Sequence, residues 1–448
     1  MALFYPPFIE WEVTPTCNHN CIHCYNYWRS EKTQDAAKQF DNSTNAAYYN
    51  RLARRIVENK PVSVAITGGE PLIVFNKIQE AIDILLNAGI VVTINSNAVL
   101  MDKEKASFFA DRKIDFFISL PCAIAEVNDR ITGVTGSLQK TSNAIINMKK
   151  SGINVATNTV ISKLNFPYLY ETGQYVHDVL GQKYFCATRA CLPSNAQSGF
   201  RDQILSKAEF IKMLEIMIQI KNDFNMKIDT ARAHALCSLD NNEIIRHFWG
   251  KRRCAGGKLS FVVAFNGDIK ACAMDTKSYG NIMTDSFRDA IAKMKEWQTI
   301  EFLPDECQNC HHKYSCSGGC RIDALTTYGD FRKLDPLSDP SILDRIELSY
   351  AMPEADVNFN KAFRLADNLI VVEENNCVRI SNHDKFQFLN EAAYRILSEM
   401  RTFYLSDFSK KFSIDDDKAK RSIISLLATG VLSNGLQGAT SGIKKQVV

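Results

Sequence analysis

Three cysteines on one short loop, Cys17-Asn-His-Asn-Cys21-Ile-His-Cys24, restrict this chain more than any other stretch. A loop that gathers three thiolates folds around whatever they hold. Three is one short of the tetrahedral four that closes a structural zinc site or an iron–sulfur cluster. Two readings follow. In one, His19 or His23 supplies the missing ligand and the loop is a zinc knuckle. In the other, the loop holds a cubane cluster with one iron left open for a substrate or cofactor.

The remaining cysteines bear on the same question. The chain has 14 in 448 residues. Its N-terminus, Met-Ala-Leu-Phe-Tyr-Pro-Pro-Phe, has no basic segment followed by a long apolar run, and no uninterrupted apolar stretch is long enough to span a bilayer. These features predict a cytoplasmic protein, a compartment where structural disulfides are rare, so the cysteines read as metal ligands. A net charge of +3 is too small to make nucleic acid or a membrane surface the main partner. The length predicts two or three domains.

Strand-like runs at Phe8–Val13, Val62–Thr67, Ile90–Asn95, Ile114–Ser119, Val155–Ile161 and Lys183–Thr188 alternate with helical periodicity. Between Ile78 and Ala88, for example, Ile78, Ala81, Ile82, Leu85 and Leu86 share one face. This alternation predicts the α/β class and a partial barrel of six strand–helix units over residues 1–235, with polar residues just after the strands, where barrels place their sites. Residues 236–345 are rich in cysteine and weakly periodic, and are expected to fold around metal more than around a hydrophobic core. Residues 346–360 read as a linker. Residues 361–437 combine a hairpin over Leu369–Ile380 with helices at Asn390–Met400, Tyr404–Phe412 and Asp415–Thr429, a small winged-helix-like pattern. Residues 438–448 read as a disordered tail.

The second strand runs into Thr67-Gly68-Gly69-Glu70-Pro71. Glycines there let backbone approach a ligand closely, and Glu70 offers an acceptor. Joined to C-x3-C-x2-C at the end of the preceding strand, this stretch resembles the radical S-adenosylmethionine (SAM) superfamily over roughly the first 190 residues. Asn95-Ser96-Asn97, Ser119-Leu-Pro and Asn128-Asp-Arg-Ile-Thr-Gly-Val-Thr-Gly-Ser137 continue the resemblance, although relatives commonly show Ser-Leu-Asp-Gly at the second. The resemblance implies a TIM-type radical SAM barrel in which Cys17, Cys21 and Cys24 bind a 4Fe–4S cluster. It places Gly68, Gly69, Glu70, Pro71, Asn97, Ser119 and His23 around SAM. For Asn97 and Ser119, the capping of backbone at a strand end is the competing role. It further implies that SAM chelates the open iron and yields a 5′-deoxyadenosyl radical, while the protein positions substrate and excludes water.

Downstream, Cys254-x12-Gly267-x4-Cys272 and Cys307-x2-Cys310-x5-Cys316-x3-Cys320 resemble the SPASM extension of that superfamily, which holds two auxiliary 4Fe–4S clusters and brings the total to three. The resemblance assigns Cys254, Cys272 and Cys320 to the first auxiliary cluster, and Cys237 is the nearest upstream thiol to complete it. It assigns Cys307, Cys310 and Cys316 to the second. Relatives place that cluster's fourth cysteine in Asp-Pro-x-Cys, whereas this chain reads Asp335-Pro-Leu-Ser338. Asp339, Asp335, Ser338 or Cys377 is then left as the ligand, or one iron stays open. Cys122, Cys186 and Cys191 read as small buried hydrophobes, although Cys186 and Cys191 lie near the expected barrel mouth.

The C-terminal stretch, with Phe386-Gln-Phe-Leu-Asn-Glu-Ala-Ala-Tyr-Arg-Ile-Leu397, resembles a PqqD-like peptide-recognition domain, which takes up the leader of a precursor peptide as an added strand. The combined resemblance implies a maturase of a ribosomally made precursor peptide, served by an electron donor such as flavodoxin or ferredoxin. Its expected product is an intramolecular carbon–carbon cross-link of the cyclophane type. Thioether formation and oxidation are alternatives on the same machinery. Sulfatase-type maturases carry an aspartate base directly after the second auxiliary cysteine; here that position is Ala273, which argues against that activity, and Asp275 is left as either a candidate base or a turn residue. A zinc-binding, DNA-binding regulator is the alternative of a different class.

Overall fold

The computed structural model describes residues 5–26, 34–193, 199–249, 253–346, 359–366, 369–374, 377–382, 385–428 and 431–434. The expected linker, except residues 346, 359 and 360, and the expected tail lie outside the described residues, as does the side chain of Cys377.

All six expected strands form, and each stays within about one residue of its expected bounds: β1 (Phe8–Thr14), β2 (Ser63–Gly68), β3 (Val91–Ser96), β4 (Asp115–Ser119), β5 (Val155–Ile161) and β6 (Tyr184–Arg189). They pair in sequence order, all parallel. Helices connect them, as right-handed parallel units require. Alternation along β1 shows why. Ile9, Trp11 and Val13 are buried, and the Trp11 ring meets Tyr49 of the helix Ala46–Glu58. Glu10 and Glu12 take the other face, where Lys270 Nζ lies 3.0 Å from a Glu12 carboxylate oxygen.

The sheet goes beyond six strands. β7 (Lys227–Asp229) adds parallel to β6, β8 (Ser260–Val263) adds parallel to β1, and β9 (Ile269–Lys270) pairs antiparallel with β8. The cysteine-rich part therefore shares the barrel's hydrophobic core: Phe261, Val263, Ile269, Phe287 and Trp297 are all buried in it. The sequence pointed to metal in place of a core here because these apolar runs are two to four residues long, too short for periodicity to register.

The C-terminal residues form a separate core around Phe363, Ile380, Leu397, Phe403, Phe408 and Ile423. β10 (Phe363–Leu365), β14 (Thr402–Phe403) and β15 (Leu432–Asn434) make one small sheet. β11 (Ile370–Glu374), β12 (Cys377–Asn382) and β13 (Lys385–Leu389) make another, so the expected hairpin gains a third strand. The helix Glu391–Met400 packs on β12 and β13, and helices Leu405–Phe412 and Asp416–Ala428 follow.

Candidate functional site

The cysteine loop is held at its root and on both flanks. At the root, the Thr14 hydroxyl donates to Asp41 Oδ2 at 2.6 Å and the Thr16 hydroxyl donates to the same oxygen. On one flank, Gly69 N–H donates to Thr14 O at 2.6 Å and Glu70 N–H to Thr16 O at 2.8 Å. A Cβ on Gly69 would stand 1.7 Å from Thr16 O, and Gly68 adopts φ +132° with a Cβ position 2.4 Å from Thr14 O. The two glycines thus let the loop after β2 dock on the cysteine loop. On the other flank, Asn20 N–H donates to Thr132 O and Ile22 N–H to Ile131 O, at 2.7 and 3.0 Å. That contact gives the Asn128–Ser137 stretch its role.

Cys17, Cys21, Cys24 and His23 border a cavity of ≈ 240 Å³ at the C-terminal ends of the strands. Gly68, Gly69, Glu70, Asn97 and Ser119 border it too, so all but one of the expected SAM-facing residues share one space. The exception is Pro71, which is buried at the start of a short 3₁₀ turn. Glu70 is only 1% exposed. One of its carboxylate oxygens accepts from Ser96 Oγ at 2.7 Å and from Leu72 N–H at 3.1 Å; the other accepts from Asn97 N–H at 2.8 Å. Burial pushes its carboxyl up, against the pull of these donors. Glu70 therefore ties the end of β2 to the end of β3. Asn97 Nδ2 in turn donates to Asn18 Oδ1 at 2.7 Å, reaching back to the cysteine loop.

The opposite wall carries Cys191 together with three residues that the sequence does not single out: Arg189, Arg232 and Met274. Arg189 Nη1 lies 2.5 Å from Asp323 and its Nη2 lies 3.1 Å from Asp335. Burial opposes the charge on Arg189, and the two carboxylates outweigh it. Arg232 donates to Cys320 Sγ and to Asp323, both at 3.4 Å. Cys191 Sγ stands 3.2 Å from Met274 Sδ, and burial raises its thiol well above the ordinary range, against Arg232. The available signal was position, since Arg189 closes β6 and Arg232 follows β7 at the strand ends where barrels place their sites.

The thiols of the second half form two groups. Cys254, Cys272 and Cys320 are electrostatic neighbours of one another. Cys237, expected with them, stands elsewhere: it borders a small cavity of ≈ 20 Å³ together with Cys307, Cys310, Cys316 and Ser338. Sequence order misled here, because Cys237 is nearer to Cys254 along the chain while the turn Leu236–Ser238 folds toward Cys316. Asp339 is partly exposed, pairs with Lys207 at 3.5 Å, and caps a turn through Ser341 N–H. Asp335 is engaged by Arg189. Asp275 is buried and its carboxylate accepts from Lys277 N–H at 3.0 Å; it is not among the residues bordering the large cavity.

Thiol donors with backbone N–H groups aimed at sulfur suit iron–sulfur ligation. His19 N–H points to Cys17 Sγ, His312 N–H to Cys310 Sγ and Leu236 N–H to Cys316 Sγ, each at 3.4 Å. Among the described residues, no three His, Cys, Asp or Glu side chains converge as the ligands of one metal ion would; Cys17, Cys21 and Cys24 stand around one cavity, and Cys237, Cys307, Cys310 and Cys316 around another. None of the described helices is long and apolar enough to cross a membrane.

Residues 11–175 match the Radical SAM superfamily. An AdoMet-dependent heme synthase of Methanosarcina barkeri is 24% identical over 359 residues, 74% of this chain and 95% of the relative. The mycofactocin maturase MftC of Mycolicibacterium smegmatis is 24% identical over 330 residues, 70% of this chain and 78% of the relative. The crystal structure of Streptococcus suis SuiB bound to precursor peptide SuiA shares the fold, with a TM-score of 0.58 and 18% identity over 74% of this chain and 75% of that one. The chain thus carries a radical SAM domain, with a three-cysteine loop and a glycine-rich turn facing one cavity.

Proposed function

We propose that this protein is a radical SAM maturase that modifies a ribosomally made precursor peptide and closes an intramolecular carbon–carbon cross-link between core residues. The observation that carries the peptide reading is the C-terminal unit, which has its own hydrophobic core and a three-stranded sheet whose outer strands, β11 and β13, are edges among the described residues. A sheet edge beside a helix is a surface on which a leader peptide can add as a strand. The likeness in fold to SuiB, a protein solved with its precursor peptide, supports the same reading.

When bound, SAM and its cluster supply a 5′-deoxyadenosyl radical, and auxiliary clusters supply redox capacity. The chain's own residues do the rest. Cys17, Cys21 and Cys24 hold the cluster. The Gly68-Gly69-Glu70 turn, Asn97 and Ser119 form the wall on which SAM is oriented, and His23 stands beside it. Arg189 and Arg232, paired with Asp323 and Asp335, form the opposite wall of the cavity, against which the peptide is positioned. Cys254, Cys272 and Cys320 hold one auxiliary cluster, and the thiols near Cys316 hold a second.

A tetrapyrrole substrate is the second reading, favoured by the heme synthase match over nearly the whole length of that relative. Coexpression with the short open reading frame expected beside the gene separates the two. The peptide should emerge lighter by two hydrogen atoms, with fragmentation blocked between the joined residues. An unmodified peptide, with turnover of a tetrapyrrole heme precursor instead, would replace the first reading by the second. Deleting residues from Phe359 onward should weaken peptide binding and leave SAM cleavage in place; unchanged affinity would remove the role given to the C-terminal unit.

A further inference from the structure

We propose that Cys237 supplies the fourth thiolate of the site formed by Cys307, Cys310 and Cys316, in place of the thiol that Ser338 lacks. The inference rests on the reading that those three residues hold an iron–sulfur cluster.

Four observations bring Cys237 there. It borders the same small cavity as the three other thiols. Its neighbour Leu236 donates its backbone N–H to Cys316 Sγ at 3.4 Å, so the turn carrying Cys237 is fastened to a member of the set. The approach is close enough to require glycine on the facing side: Gly319, at φ +75°, would place a Cβ 3.0 Å from Ala235 N. Finally, Asp339 N–H donates to Cys237 O at 3.0 Å, which lays the Asp335–Asp339 loop directly against Cys237 and sets Ser338 beside its thiol.

A buried cysteine of ordinary packing has apolar neighbours. Cys237 is 7% exposed, yet its surroundings include the Cys316 and Cys307 thiols, the Ser338 side chain and the Asp335 carboxylate. Four thiolates close a 4Fe–4S cluster without help from oxygen ligands. The loop that would otherwise deliver a thiolate still reaches the site, but carries serine. The ligand has moved along the chain from position 338 to position 237 while its place in space is kept. Among the described residues, the group of Cys254, Cys272 and Cys320 is correspondingly left without Cys237.

The test uses full-length protein reconstituted without oxygen, as wild type, Cys237→Ala, Cys307→Ala, and Cys237→Ala combined with Ser338→Cys. Iron and sulfide per chain and the electron paramagnetic resonance spectrum are measured. Cys237→Ala should lose about four of about twelve irons, or show a three-iron signal. The double variant should recover the wild-type count, because residue 338 occupies the adjacent position. Wild-type iron and spectra in Cys237→Ala, with loss in Cys307→Ala, would overturn the assignment of Cys237 alone. No change in either variant would overturn the cluster at this site. A measurement on the wild type covers the case of a variant that does not fold. As a chelator strips iron, Cys237 should become open to alkylation together with Cys307, Cys310 and Cys316, while Cys122 and Cys186 stay protected. Protection of Cys237 after the other three have reacted would refute the proposal.

Discussion

Arg189 Nη1 stands 2.5 Å from the carboxylate of Asp323, a residue three positions beyond Cys320, and both side chains are almost wholly buried. The pair joins the end of β6 to the cysteine-rich part across the wall of the candidate active site. Arg232 shares the same carboxylate, so Asp323→Asn would leave the buried Arg189 with Asp335 alone and take from the partly exposed Arg232 its ion-pair partner. Breaking a buried pair by removing one partner costs roughly 3–5 kcal/mol. Anaerobic denaturant titration should show a loss of that size, and a loss below about 1 kcal/mol would mean that water reaches the pair.

Gly69→Ala should abolish SAM cleavage. The added methyl would overlap Thr16 O, and the docking of the Gly68-Gly69-Glu70 turn on the cysteine loop would open. The expected readout is loss of about four irons per chain, with the auxiliary clusters retained. Full iron content and normal 5′-deoxyadenosine yield would show that the two loops part without consequence.

Glu70→Ala removes the shared acceptor of Ser96, Leu72 and Asn97. Each buried donor left unsatisfied costs about 1–3 kcal/mol, so the end of β3 should loosen and SAM affinity should fall by about tenfold or more. Glu70→Gln keeps one acceptor oxygen and should fall between the two. Calorimetric titration of SAM into the reconstituted protein distinguishes the three forms.

His234 gives the fold a pH dependence of known sign. Burial, then the positive charge of Arg189 and Arg232, lowers its imidazole from 6.5 to about 3. Below pH 6.5 the unfolded chain takes up a proton at this residue and the folded chain does not, so stability is full above that pH and is lost as pH falls toward 3. The loss should reach about 2 kcal/mol by pH 5. His234→Gln, which can keep a hydrogen bond to Thr230, should flatten this limb of the stability–pH curve. An unchanged curve would assign the acid sensitivity to other groups.

Much of the barrel is legible because its first six strands are five or more residues long and its helices bury regular faces. Phe8–Thr14 and Val155–Ile161 announce themselves by β-branched and aromatic content, and the cysteine loop by spacing. The wall of Arg189, Arg232 and Cys191 was not legible. Its residues come from two separate connections, after β6 and after β7, and only the folded sheet brings them together. The place of Cys237 beside Cys316 is hidden for the same reason, since proximity along the chain differs from proximity in space. Glu70 was found, but its carboxylate is committed to the strand ends, which no local pattern reveals.

The pairing of β8 with β1 has a practical consequence. Four residues from beyond position 235 satisfy backbone groups along the very strand that delivers the cysteine loop. A fragment ending at residue 235 would bare that side of β1 as an unpaired ribbon rich in Ile, Trp and Val, an invitation to pair with other chains. In such a fragment the first casualty would be solubility, ahead of any chemistry, so the catalytic half of this molecule is best regarded as a patient of its own C-terminal neighbour.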